Sequence, residues 1–176
     1  MTALTRTPEN TGFLQPTKFL LVFDRMPTVQ YFCQQINLPG VNLPQIDRET
    51  PFVALPIPAT KLIYNQLNIT FIMDEKGQSW QDIYNWFRAI AAPPGFDERN
   101  RLTALQNQFK TNSLTSYSDA TLTLLTALNN PIIRIQFFNA FPIALQDINF
   151  DTGSSADTIL TGLATFVYDY YDFIPV

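Results

Sequence analysis

The side chains best equipped for chemistry in this sequence are carboxylates, one thiol and a group of phenols. Asp74 and Glu75, Asp97 and Glu98, and Asp169 and Asp172 stand close together along the chain. Two carboxylates can share general-acid and general-base work when their surroundings push their pKa values apart. Each of these pairs, however, falls at a strand end, in a polar connector or on the solvent side of a strand, and reads as solvated surface charge. Cys33 is the only cysteine, and it sits in an apolar run, where a small core role is expected. There is no histidine. Ser-His-Asp and Cys-His catalysis and most zinc sites are therefore excluded, as is a disulfide within the chain. Only 6 glycines are present, and none builds a phosphate-binding loop. The motifs GxSxG, HExxH and CxxC do not occur. The stretch Asp151 to Asp157, DTGSSAD, lacks the spaced ligands and terminal glutamate of a calcium loop and reads as a turn. Phe166, Tyr168, Tyr170, Tyr171 and Phe173 could stack against a sugar or a base, but near the end of an aromatic-rich sheet they are expected to pack a core or a subunit interface. No catalytic set, metal site or cofactor is expected.

Composition narrows the class further. Charged residues make up 15% of the chain, against about a quarter in ordinary domains, so much of the surface is expected to meet other protein. The 15 acidic residues outnumber the 11 basic ones, and no Lys/Arg run occurs, which argues against a basic nucleic-acid-binding face. The apolar runs fall well short of the roughly 20 residues that a membrane helix needs. The polar start, MTALTRTPENTGF, has no apolar segment of the kind that marks a secretory signal, so synthesis in a cytoplasm is expected. The length of 176 residues suits one domain, here 17–176 after a polar lead-in at 1–16.

The elements that would hold these residues are mostly strands. Lys18 to Asp24 is an apolar run of strand length, and Gln30 to Asn37 could pair with it as a hairpin. In Lys61 to Asp74, Leu67, Ile69, Phe71 and Met73 alternate with Asn68, Thr70, Ile72 and Asp74, which predicts a strand with one packed face. Ser79 to Ile90 reads as a helix, with Ser79 as N-cap. Ile83, Trp86, Phe87 and Ile90 share one face of it, expected to pack on a sheet. Phe96 to Asn112 reads as a solvated connector or a short helix. Beyond Asp119 the pattern predicts strands over 120–127, 131–138, 144–151 and 163–172, with turns at 129–131, 139–142 and 151–153. The fold class is mainly β, an antiparallel sandwich or barrel with one flanking helix.

One stretch does not fit that scheme. After the strand that ends near Asn37, Leu38-Pro39-Gly40 breaks the ladder, and Pro44 and Pro51 keep the chain extended from there to about residue 59. This arm, residues 38–59, is nevertheless apolar, with Leu38, Val41, Leu43, Ile46, Phe52, Val53, Leu55 and Ile57. Long irregular connections are often functional, and apolar side chains on such an arm need cover, which a neighbouring subunit would supply.

The ordered set Tyr31-Phe32-Cys33-Gln34, Leu38-Pro39-Gly40, Thr50-Pro51-Phe52-Val53, Leu67-x-Ile69-x-Phe71-x-x-Asp74-Glu75 and Asn85-Trp86 resembles the tail-tube family of contractile-tailed bacteriophages. The second half agrees, with Phe137-Phe138-Asn139-Ala140-Phe141-Pro142, Leu145-x-x-Ile148-x-Phe150-Asp151 and Ala164-Thr165-Phe166-x-Tyr168-Asp169-Tyr170. The resemblance implies a β-barrel-like sandwich similar to the type VI secretion tube protein. It implies homo-hexameric rings that stack into a tube as a conduit for DNA, with sheath and baseplate as partners and the virion tail as location. DNA would be met only in transit, and no membrane insertion is implied. The long loop by which rings contact each other in that family matches the arm, so Leu38, Pro39, Val41, Leu43, Ile46, Phe52 and Val53 are its inter-ring candidates. Asn68, Thr70 and Asp74, with Asp147, Asn149 and Asp151, are candidates for an acidic lumen wall. Length favours a repeating tube subunit; the alternatives are a baseplate tube initiator or the tube subunit of a phage-derived injection device. A monomeric β-sandwich that binds a ligand through Tyr168 to Phe173 is the alternative of another class.

Overall fold

A computed structural model of the chain describes residues 12–91, 97, 100, 116–153, 155 and 158–175. The Phe96 to Asn112 connector lies almost entirely outside the described residues, as does most of the lead-in. The architecture is mainly antiparallel β. Its main sheet runs β1 (Phe19–Phe23), β8 (Ser118–Leu125), β9 (Pro131–Leu145), β10 (Thr161–Val167), β7 (Leu67–Ile72), β2 (Cys33–Ile36), and β11 (Tyr170–Pro175) also pairs with β9. The sheet folds over on itself, because β1 and β10 are not neighbours in it and yet the rings of Phe23 and Phe166 lie 5.2 Å apart. Leu21, Phe23, Leu67, Ile69, Phe71, Ile135, Phe137 and Phe166 fill the space between the two layers.

The alternation in β7 has a direct structural cause. Leu67, Ile69 and Phe71 are fully buried, while Asn68, Thr70 and Ile72 face the other way. Helix α2 (Gln78–Ala91) buries Ile83 and Trp86 and packs Phe87 and Ile90, partly buried, against the same core. Ser79 is not its N-cap but lies within its first turn. The capping acceptor is Asp74, whose Oδ1 takes the Ser79 N–H at 2.9 Å and the Ser79 hydroxyl at 3.0 Å.

Four expectations about the strands are corrected by the structure. The segment after β1 does not form a hairpin with it. Pro27 starts a short helix, α1 (Pro27–Phe32), for which its fixed φ is preorganised, and buried Val29 seats that helix. β2 then pairs with β7, and β1 pairs with β8, Phe23 opposite Ala120. Residues 139–142 are not a turn: β9 runs straight through them. Asn139 takes a left-handed φ of 55°, and the register against β8 slips there, so the turn-forming residue makes a bulge within a strand. The strand expected over 144–151 ends at Leu145. The strand expected over 163–172 breaks after Val167, and the chain passes from β10 to β11, with the Asp169 N–H donating to the Phe138 carbonyl at 3.0 Å.

The arm is more regular than its prolines imply. β3 (Val41–Asn42) pairs with β6 (Ile63–Tyr64), and beyond them β4 (Gln45–Glu49) pairs with β5 (Ala54–Pro58), forming one two-stranded ribbon. Every residue of β4 and β5 is exposed.

Candidate assembly surfaces

Several of the groups that could do chemistry have structural roles. Cys33 is half-buried, and burial pushes its thiol up to about 11, so at neutral pH it stays protonated. Burial, and secondarily the charge of Asp119, raises the pKa of Asp24. Asp119 itself accepts the Asn139 backbone N–H at 3.1 Å, and the Asn139 amide donates to Asp169 Oδ2 at 2.6 Å, so these two carboxylates pin the bulge in β9. No group of three or more metal-ligating side chains occurs among the described residues. No helix among them is long and apolar enough to cross a membrane.

Phe166 and Tyr168 pack the core as expected, and Tyr168 and Tyr171 add a bracing role that sequence reasoning missed. Tyr168 is buried against Tyr64, Phe137 and Tyr171, and desolvation holds its phenol well above the usual range. Its hydroxyl donates to the Asn65 carbonyl at 2.9 Å, and the Tyr171 hydroxyl donates to the Pro39 carbonyl at 3.3 Å. Pro39 and Asn65 lie on the two chain segments that enter and leave the ribbon at its root, where the Asn65 N–H donates to the Gly40 carbonyl. The cluster thus fixes the root of the arm to the core instead of offering a stacking platform. The sequence signal was the aromatic clustering itself; the break after Val167, which an unbroken strand over 163–172 did not anticipate, leaves Tyr170 outside, stacked on Phe138 at 4.7 Å, and brings Tyr171 in.

On the arm, the register sorts side chains to two faces. Ile46 lies opposite Ile57 and Arg48 opposite Leu55; Gln45, Asp47 and Glu49 lie opposite Pro58, Pro56 and Ala54. One face is therefore aliphatic with a single arginine, and the other is acidic and proline-rich. Phe52, 97% exposed, and Val53 form the tip, closed by a Thr50 N–H bond to the Val53 carbonyl at 3.2 Å. Leu38, Val41 and Leu43 are exposed along the ribbon and its approach, whereas Pro39 is buried at its root. A freestanding ribbon with this much exposed apolar surface has the character of an interface element.

The lumen candidates lie on three parts of the fold: the outward face of β7, the start of α2 and the segment beyond β9. Asn68 and Thr70 sit on the outward face of β7, where the Thr165 hydroxyl donates to Asn68 Oδ1 at 3.0 Å. β2, β7 and β10 contain no charged residue. Asp74 is half-buried, and its bonds at the start of α2, the Ser79 N–H foremost, hold its carboxyl below the usual value. Asp147, Asn149 and Asp151 are exposed beyond the end of β9, and Asp151 Oδ1 accepts the Gly153 N–H at 2.9 Å.

Known proteins share this arrangement. The tail tube terminator protein of Enterobacteria phage T4 is 25% identical over 162 residues, 88% of this chain and 85% of that protein. A chain of the anti-feeding prophage cap, a tube-terminating cap, superposes with a TM-score of 0.68 at 13% identity, covering 100% of both chains. A chain from the sheath/tube terminator of an extracellular contractile injection system, PVC, has a TM-score of 0.64 at 13% identity over 94% of this chain and 99% of its own. The phage tail tube protein family model matches residues 10–174, nearly the whole sequence, and the chain belongs to that family.

Proposed function

We propose that this chain is a tail tube terminator, a structural protein whose copies close into a ring and end the growing tube. The observation that carries this reading is the alignment with a tail tube terminator along 88% of the chain; the end-to-end fold match to a tube-terminating cap supports it. The repeating tube subunit favoured by length is the second reading, and the arm is the feature in its favour. An exposed ribbon with an aliphatic face and a phenylalanine tip suits contact with a stacked ring. In either role six copies per ring, sheath and baseplate neighbours, assembly in the host cytoplasm and DNA passing through the lumen follow from the family resemblance. Asn68 and Thr70 are the candidates we keep for the lumen wall. The strands around them are uncharged, and a wall without lysine or arginine lacks the cations whose pairing with phosphates drives binding through counterion release.

The two roles differ in whether growth continues. Electron microscopy of the purified protein, alone and mixed with polymerising tail tube subunits, separates them. A terminator forms rings alone and shortens tubes in the mixture as its proportion rises. Long tubes formed by this chain alone would overturn the terminator and leave the repeating subunit.

A further inference from the structure

The two edges of the arm are chemically different. Thr50 and Val53, and Pro44 and Ala59, are pairs joined by main-chain bonds directed into the ribbon. Because antiparallel pairs alternate, Ile46/Ile57 and Arg48/Leu55 are also of this inward kind, and Gln45/Pro58, Asp47/Pro56 and Glu49/Ala54 are of the outward kind. Residues of outward pairs aim their N–H and C=O groups away from the ribbon. On β5 two of the three outward residues are prolines, Pro56 and Pro58, with no N–H to give, so that edge cannot template another strand. On β4 the outward residues are Gln45, Asp47 and Glu49, whose N–H groups point away from β5, and among the described residues β4 is exposed throughout and paired only with β5. The two prolines are spaced by two, which puts both on the same edge.

We infer that the arm docks through β4 alone, by adding a strand from a different polypeptide whose side chains alternate aliphatic with lysine or arginine. Such a strand meets Asp47 and Glu49 on one face and Ile46 and the ribbon's aliphatic side on the other. The sealed β5 edge rules out head-to-tail pairing of arms around a ring. Among the described residues, the edge strands of this chain's own main sheet, β1 (FLLVF), β2 (CQQI) and β11 (YYDFIP), carry no lysine or arginine, so these edges of a second copy lack the matching chemistry. In the setting of the proposed function the partner is a tube subunit of the adjoining ring, a polypeptide other than this one, and the inference rests on the terminator role.

Hydrogen exchange of the full chain, alone and bound to polymerised tail tube, tests the edge. In the bound state the Gln45, Asp47 and Glu49 amides are expected to slow by at least about tenfold, while the Ala54 amide on the opposite edge stays fast. Slowing in the chain alone would replace the foreign strand with a second copy and overturn the inference. Absence of slowing in both states, or equal slowing at Ala54, would overturn it too. Asp47→Pro, which seals β4 without touching an inward bond, should abolish capture on the tube; Asp47→Ala, which removes only the charge, should weaken it and lessen its salt sensitivity. Capture of Asp47→Pro at the wild-type level would defeat the inference. Tubes formed by this chain alone defeat the terminator role and, because the adjoining ring is then a second copy, the inference with it; rings that bind tube without the exchange pattern defeat the inference and leave the terminator role standing.

Discussion

At Gly162 the core leaves no room for a single added carbon. A Cβ there would lie 2.7 Å from Cζ of Phe71, whose ring crosses the glycine from the paired position on β7 and is itself fully buried. Gly162→Ala must displace that ring, and is expected to cost about 1–3 kcal/mol, read as a lower urea midpoint with an unchanged slope. Asp74 offers a test through pH. Its folded pKa is depressed by the bonds it accepts at the start of α2, so its contribution is complete above the ordinary carboxylate value of 3.8 and is lost as pH falls through the depressed one. Asp74→Asn should lower the thermal midpoint at pH 7 and flatten its decline in acid; identical acid profiles for the two proteins would contradict the capping role. Gly162 is inconspicuous in the sequence, and Asp74 stands out there only as one of a carboxylate pair and a lumen candidate, not as a helix cap. Gly162 matters because of a ring on another strand, and Asp74 ends a strand in a way that looks equally suited to solvent.

Elements were legible where one physical requirement dominated. The alternation in β7 and the apolar face of α2 are plain in the sequence because each meets one core on one side. Trp86 sits at the centre of the α2 contact, buried, with its Nε1–H donating to the Ser116 carbonyl at 3.1 Å and the Arg25 guanidinium 5.7 Å from its ring. Trp86→Ala should destabilise the fold by about 3–5 kcal/mol, and the failure should appear as insoluble chain. The arm behaves oppositely. Leu43, Ile46 and Phe52 are exposed, so replacing all three with serine should leave the melting curve in place while abolishing ring contact, checked by microscopy of assemblies. What the sequence hid were changes of direction. Asn139 and Pro142 have turn chemistry, but a left-handed asparagine serves a bulge as well as a turn, and only its bonds to Asp119 and Asp169 decide which. The short helix after Met26 is too brief for periodicity to reveal.

At the scale of the whole molecule, the fold class is legible from strand-length segments and their spacing, whereas the order of strands is not. Pairings such as Phe23 with Ala120, or Thr70 with Leu163, depend on surfaces far apart along the chain, and nothing local encodes them. The same holds for the tyrosine braces: the hydroxyl of Tyr168 reaches a carbonyl 103 residues earlier.

The position of β10 has a consequence for how the protein is made. Although it is next to last in the chain, it lies in the interior of the sheet, between β9 and β7. Until it emerges from the ribosome, the β7 side and the β9 side have no strand to join them, and a nascent chain holds two unfinished half-sheets. Non-local pairing of this kind delays folding until late in synthesis. An interrupted translation product therefore lacks the core that anchors its arm, and only a finished chain presents the arm for assembly. Chains ended at Leu160 should be degraded or insoluble, and should not slow assembly when expressed beside the full-length protein. Dominant interference by that fragment would show that the arm is presented before the sheet closes.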